Sequence, residues 1–171
     1  KDTIKKLKKN GIKKVVMMTG DSDRTAKAIA KKVGIDEYYS EVLPEDKAKF
    51  VDKEIAMGHS VIMIGDGIND SPALSKADVG IAMNHGAQVA KEIADITIDG
   101  EDLGQIVTLL KISKSLMKRI NRNYRTIVSF NSGLIVMGVA GIIAPTTSAL
   151  LHNASTLAIG LSSMKDLDLE R

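Results

Sequence analysis

Residues 65–74 read Gly-Asp-Gly-Ile-Asn-Asp-Ser-Pro-Ala-Leu, and three oxygen-bearing side chains, Asp66, Asn69 and Asp70, crowd into that run. The apolar run Val61–Ile64 before it predicts a strand. Ser71 stands where a helix N-cap belongs, with Pro72 at the first helical position. The three side chains are therefore expected at the carboxyl end of a parallel strand, beside a helix start, where open α/β sheets place their ligands. Hard oxygen ligands in so small a cluster suit Mg²⁺, which is normally held by one or two carboxylates together with phosphate and water.

The elements that must position this cluster alternate along the first hundred residues. Strands are predicted at Val15–Met18, near Tyr38–Val42, and at Val61–Ile64, Val79–Met83 and Ile96–Ile98. Helical patterns fill Asp2–Asn10, Asp23–Val33, Glu45–Met57, Pro72–Lys76 and Ala87–Ala94. Gly11, Gly34 and Gly58 each follow a helical stretch, where a left-handed cap residue is expected. Strands separated by helices of this length imply an α/β fold with a parallel sheet and helices on both faces.

Composition narrows the classes. The chain has no cysteine, which excludes disulfides and thiolate metal sites within it. With no Trp and 3% aromatic residues, the core must be built from aliphatic side chains and Met. The net charge of +3 comes from short lysine runs such as Lys5-Lys6 and Lys8-Lys9, interleaved with Ile4, Leu7 and Ile12. They read as the solvated face of a helix. Nucleic-acid binding would need a basic patch with stacking aromatics or a recognised module, and neither is present. The chain opens at Lys1 in the middle of a helical pattern and without Met, so it is expected to be a piece of a longer protein.

Beyond about Leu103 the character changes. Gln105–Arg125 is helical without a breaker and ends in the basic cluster Lys118, Arg119, Arg122 and Arg125. No charged residue occurs from Thr126 to Ala144, Pro145-Thr146-Thr147 makes a turn, and a second uncharged run continues from Ser148 to Met164. Each run approaches the roughly 20 residues that a helix needs to cross a bilayer. Glycines at 133, 138, 141 and 160 suit close helix packing in lipid. Basic residues flank the outer ends, whereas the turn is uncharged, which predicts a hairpin with both ends in the cytoplasm. Polar groups within such spans mark ion paths by default. The first run offers Ser129, Asn131 and Ser132, and the second His152, Asn153, Ser155 and Thr156. A neutral imidazole at His152 suits zinc, cobalt, nickel or copper better than sodium, potassium or calcium. The other reading of His152 is an interfacial histidine hydrogen-bonded to a neighbouring helix, and the sequence leaves both open.

Taken together these segments resemble the heavy-metal-translocating P-type ATPases of the haloacid dehalogenase superfamily. Thr19-Gly20-Asp21, Pro44-Glu45-Asp46-Lys47, the 65–74 run and Ala77-Asp78-Val79-Gly80-Ile81-Ala82-Met83 occur in that family's order and at about its spacing. The resemblance implies a pump that hydrolyses ATP through an aspartyl-phosphate intermediate, with Mg²⁺ and ATP as cofactors. It implies that Thr19 and the backbone amides of Gly20 and Asp21 hold phosphate oxygens, and that Lys47 neutralises the transferring phosphoryl group. Asp66 is the first choice as a direct Mg²⁺ ligand, with Asp70 and Asn69 supporting the ion, its waters and the phosphoryl group; for Asp21 and Asp78 both a site role and a role as a cap alone stay open. The family's attacking aspartate, in an Asp-Lys-Thr-Gly-Thr motif, is absent here and is expected upstream, as are its Cys-Pro-Cys ion ligands.

Two departures stand out. The family's Gly-x-Gly-Thr-Asp loop is replaced by Asn84-His85-Gly86-Ala87-Gln88. The segment His152-Asn153-Ala154-Ser155-Thr156 matches none of the selectivity patterns of the subgroup: Asp-x-Gly of zinc and cadmium pumps, His-Glu-Gly of cobalt-type pumps, or Met-x-x-Ser-Ser of copper pumps. Zinc, cadmium or cobalt is the favoured ion, with copper, nickel or manganese open.

The expected organisation is a phosphorylation domain over 1–103, a connecting helix over 104–125, and two transmembrane helices at about 126–144 and 148–164 with a short cytoplasmic tail. The parent is expected to be a multi-pass membrane protein with a cytoplasmic phosphorylation domain, in contact with the lipid bilayer, and without nucleic acid. Alone, the chain is expected to be inactive. The rival readings are a soluble phosphatase of the same superfamily and a truncated, non-catalytic membrane protein.

Overall fold

The computed structural model describes residues 2–83, 87–98 and 102–167. Asn84, His85 and Gly86, in the loop that departs from the family's pattern, lie outside the described residues. The chain divides into two compact units, Lys1–Val107 and Thr108–Arg171.

The first unit alternates helix and strand. Its elements are α1 (Asp2–Lys9), β1 (Val16–Met18), α2 (Asp23–Val33), β2 (Glu37–Tyr39), α3 (Pro44–Ala56), β3 (Ile62–Gly65), a 3-10 turn (Ile68–Asp70), α4 (Ser71–Lys76), β4 (Val79–Met83), α5 (Gln88–Ile93) and β5 (Ile96–Ile98). β1 pairs with β2 in parallel, and β3, β4 and β5 form a second parallel sheet in that order. β4 is central and carries the buried Gly80, Ile81 and Ala82. Small residues let helices press on the β3–β5 sheet: Leu74, Ala82 and Ala90 form one core cluster, and Ala48, Val51 and Ala73 another. A Cβ on Gly80 would stand 2.7 Å from the Leu74 carbonyl oxygen, so the approach of α4 to β4 depends on that glycine.

One device sets the register repeatedly. Asp36 accepts a hydrogen bond from the Val15 amide at 2.8 Å, Asp78 from Val61 at 2.8 Å, and Asp95 from Gly80 at 2.8 Å. In each case the aspartate stands immediately before a strand and ties down the neighbouring strand where a sheet would begin to fray. Gly11, Gly34 and Gly58 all have the positive φ expected of them.

Ser71, expected to cap a helix, is instead the first residue of α4, and Asp70 takes the capping place. The 3-10 turn runs straight into the helix, which moves the boundary one residue back.

The second unit is an antiparallel hairpin built from residues 108–139 of α6 (Gly104–Val139) and from α7 (Pro145–Ser163). Arg119 and Asn123 meet Ser163, and Asn131 meets His152, so the register closes on a turn around Gly141, whose φ is +69°. Pro145-Thr146-Thr147 is not the turn. Proline's fixed φ suits the first helical position, and α7 starts there.

The two expected membrane spans are corrected by the structure: among the described residues no helix is long and apolar enough to cross a membrane. α6 runs unbroken from its lysine-rich half, and only 126–139 follows Arg125, about 21 Å of helix against the roughly 30 Å of a bilayer core. α7 has 19 residues, but its apolarity is diluted by Thr146, Thr147, Ser148, His152, Asn153, Ser155, Thr156, Ser162 and Ser163.

Candidate functional site

Asp70 and Lys47 meet at the carboxyl end of β3. Lys47 Nζ donates to Asp70 Oδ1 at 2.7 Å, with the side chains only 14% and 11% exposed. Lys47 reaches there because Pro44 opens α3 and places the lysine in its first turn. The other carboxylate oxygen, Asp70 Oδ2, accepts long bonds of 3.4 Å from the amides of Asp66 and Gly67. The strand end leaves no room for a side chain at Gly65, since a Cβ there would lie 2.5 Å from Asp70 Cβ. Glycine at 65 is thus a packing requirement of the acid at 70.

Asp66 and Asn69 are exposed, and no described residue bonds their side chains. The two residues leave hard oxygen donors open to solvent beside a carboxylate already committed to a lysine. That donor set fits Mg²⁺, which takes few protein carboxylates and keeps waters and phosphate oxygens.

Thr19, Gly20 and Asp21 form a closed turn after β1. Thr19 Oγ1 donates to Asp21 Oδ2 at 3.0 Å and accepts from the Asp21 amide at 3.1 Å. The backbone of this turn is tied to the segment after β2: the Thr19 amide to the Tyr39 carbonyl, the Val42 amide to Thr19, and the Glu41 amide to Asp21, with Glu41 at φ +55°. The Asp21 amide, expected from the sequence to face phosphate, is turned onto Thr19. Among the described residues no hydrogen bond joins this turn to the Lys47–Asp70 pair. Asp78 is committed to the Val61 amide.

Sequence reasoning missed Ser71 as anything but a cap. Its Oγ is buried without a hydrogen-bonding partner, next to Asp70. It also missed the Asp36, Asp78 and Asp95 ties, which the recurrence of an apolar residue, Asp and a strand would have signalled.

In the second unit the structure brings His152 and Asn131 together, with His152 Nδ1 2.9 Å from Asn131 Oδ1. Ser155 Oγ and Thr156 Oγ1 both donate to the His152 carbonyl, at 2.8 and 3.0 Å. Asn153 is exposed and shares no bond with them. Among the described residues no group of three His, Cys, Asp or Glu stands ready to hold a metal ion.

Comparison with known proteins places this geometry. The haloacid dehalogenase-like hydrolase family matches residues 1–78, and a second family of the same description matches 50–110. The chain is 39% identical over 165 residues to a manganese-exporting P-type ATPase of Mycobacterium leprae, covering 96% of this chain and 23% of that protein. It is 41% identical over 171 residues to a copper-exporting P-type ATPase of Staphylococcus epidermidis, covering 96% and 22%. It superposes on a zinc-transporting PIB-type ATPase in the E2.Pi state with a TM-score of 0.84 and 34% identity, covering 92% of this chain and 26% of that one. The chain thus spans about a quarter of the length of the relatives it matches. Over nearly all of its own length it is similar to about a quarter of the length of these metal-transporting P-type ATPases, and its first unit matches the haloacid dehalogenase-like hydrolase models.

Proposed function

We propose that the chain forms the phosphoryl-handling part, and a piece of the ion path, of an ATP-driven transition-metal pump working through an aspartyl-phosphate. The observation that carries this reading is the enclosed Lys47–Asp70 pair beside a solvent-facing Asp66. Phosphoryl transfer is catalysed chiefly by positioning and charge neutralisation, so a lysine held by a fixed carboxylate is preorganised for the task. Asp66, Asn69 and Asp70 are the residues that would hold Mg²⁺, which neutralises phosphate charge when bound. Thr19 and Gly20 would meet the phosphoryl oxygens, with the Asp21 amide released from Thr19 to join them.

The sheet supports the same reading. β1 pairs only with β2, and β3 only with β4, among the described strands. Each therefore keeps a free edge, which a strand bearing the attacking aspartate would fill. ATP would be bound largely by other parts of the pump.

For the second unit we propose a place in the membrane part of the pump, with the first unit in the cytoplasm. No residue of α7 is buried, and Ile135, Val136, Val139, Leu150, Leu157 and Leu161 are all exposed. Other parts of the pump and lipid would cover them, while the polar residues of both helices would line an ion path. His152, Asn153 and Ser155 are the candidate contacts for a transition-metal ion, with Asn131 bonded to the His152 ring beside them.

The test is ATP hydrolysis by the full-length pump in lipid vesicles, with Zn²⁺, Cd²⁺, Co²⁺, Cu⁺, Ni²⁺ or Mn²⁺, with and without His152→Ala. Stimulation by one ion, lost in the variant, supports both the cargo and the path. Stimulation that survives the substitution moves the path away from His152. Stimulation by none of these ions overturns the metal-pump reading.

A further inference from the structure

We propose that Asn131 is a positioning residue that fixes His152 as the Nδ1–H tautomer and presents its bare Nε2 to the transported ion. The inference rests on the reading of His152 as part of the ion path. A side-chain amide oxygen can only accept, so the 2.9 Å contact between Asn131 Oδ1 and His152 Nδ1 places the hydrogen on Nδ1. A neutral imidazole protonated there has one lone pair left in the ring plane, on Nε2, and which nitrogen ligates is set by the bond the other one makes.

The backbone at His152 is held as well. Its carbonyl receives the Ser155 and Thr156 hydroxyls, which fix the turn of α7 that carries the ring. Asn131 and His152 sit on different helices, so the ring's aim depends on how α6 and α7 lie against each other. Arg119 and Asn123 secure that relation at the far end of the hairpin. Within this arrangement the Asn131 oxygen is committed to the ring and acts through it. The ligand chemistry that fits is a divalent transition-metal ion that accepts an imidazole nitrogen.

The experiment uses the full-length pump in vesicles, with Mn²⁺ and Zn²⁺ as activators, and compares wild type with His152→Ala, Asn131→Leu and Asn131→Asp. Leucine removes the acceptor at nearly the same volume, whereas aspartate keeps an acceptor oxygen in place. Asn131→Leu is expected to raise the metal concentration for half-maximal hydrolysis about 10- to 100-fold, the usual effect of losing a partner behind a metal-binding histidine. The rate at saturating metal stays near wild type, and Asn131→Asp restores most of the metal dependence. If His152→Ala abolishes stimulation while Asn131→Leu responds like wild type, the positioning role is overturned and the ion path stands. Equal damage from Asn131→Leu and Asn131→Asp, or a lower rate with unchanged metal dependence, also overturns it. If His152→Ala responds like wild type, the reading beneath the proposal fails. Thermal unfolding in detergent checks each variant, and Asn131→Ser, which is too short to reach the ring, replaces Asn131→Leu if the latter does not fold.

Discussion

Lys47 and Asp70, 23 residues apart in sequence, form a 2.7 Å ion pair that the protein encloses almost completely. Taking one partner away strands the other charge in a poorly solvated place. Lys47→Met is therefore expected to destabilise the chain by roughly 3 kcal/mol, toward the lower end of the range for breaking a buried pair. Lys47→Met combined with Asp70→Asn is expected to recover part of that loss, because no uncompensated charge remains. Urea unfolding of the three proteins measures the difference. If the double variant is no more stable than the single one, the pair is not what holds Asp70.

Gly65 makes the same site sensitive from the strand side. Gly65→Ala would put a methyl 2.5 Å from Asp70 Cβ, an atom fixed by its own backbone, so the 3-10 turn must move. The expected cost is about 1–3 kcal/mol, in line with overpacking elsewhere. Gly20→Ala is the control: nothing lies within 4 Å of its Cβ position, and its φ is not in the left-handed region. Its stability is expected to change by no more than about 0.5 kcal/mol. Comparable losses for both substitutions would contradict the packing argument.

Acid should weaken the β1–β2 end of the first unit through Asp36. The Lys8 ammonium, by hydrogen bond, and then the Val15 amide hold this carboxyl below the usual carboxylate range. A depressed folded value means that the stabilisation is complete above the unfolded carboxylate value, near pH ~4. It is lost as pH falls through the lower folded value. Urea midpoints followed from pH 6 downward should fall more steeply for wild type than for Asp36→Asn. Parallel curves would remove Asp36 from the acid response.

The order of strands and helices was legible because apolar runs and glycine stops alternate so regularly before Leu103. So was the gathering of Asp66, Asn69 and Asp70, since one short turn holds all three. Their division of labour was not. Which carboxylate is committed to Lys47 and which stays free follows from how α3 packs against the 3-10 turn, a relation that no local spacing contains. The start of α4 shifted for a local reason: Asp70 was read as part of the turn, yet it stands at the N-cap position of the helix, with its carboxylate turned to Lys47 and not to the helix amides. The second unit was misread where a lack of charge was taken for apolarity. Thr, Ser, Asn and His carry no net charge at neutral pH but cost nearly as much to bury unpartnered as other polar groups. The spacing of His152 and Asn131 could not announce their bond, because the hairpin register depends on a turn at Gly141 and not at Pro145.

Arg119 offers the last test, at the open end of the hairpin. Its guanidinium donates to the carbonyls of Ser163, Lys165 and Asp166 at 2.9, 2.5 and 2.5 Å. Those oxygens belong to the last turn of α7 and the residues just beyond it, where a helix has no amide partners of its own. A fixed planar fork with several donors satisfies them together, and its positive charge also suits the negative end of the helix. Lysine carries the same charge on a single rotatable head and cannot span three carbonyls in this way. Arg119→Lys is therefore expected to loosen the end of α7, and Arg119→Ala to loosen it further, by about 1–2 kcal/mol. Asn123, whose Nδ2 donates to Ser163 Oγ at 2.6 Å, should hold the helix in part when Arg119 is gone. Amide hydrogen exchange over 159–166 measures the effect, with residues around Ala48 and Val51 in the first unit as the internal reference. Faster exchange confined to the end of α7, graded from Arg to Lys to Ala, is the expected result. Unchanged exchange there would show that the packing of α6 on α7 holds the terminus without the arginine.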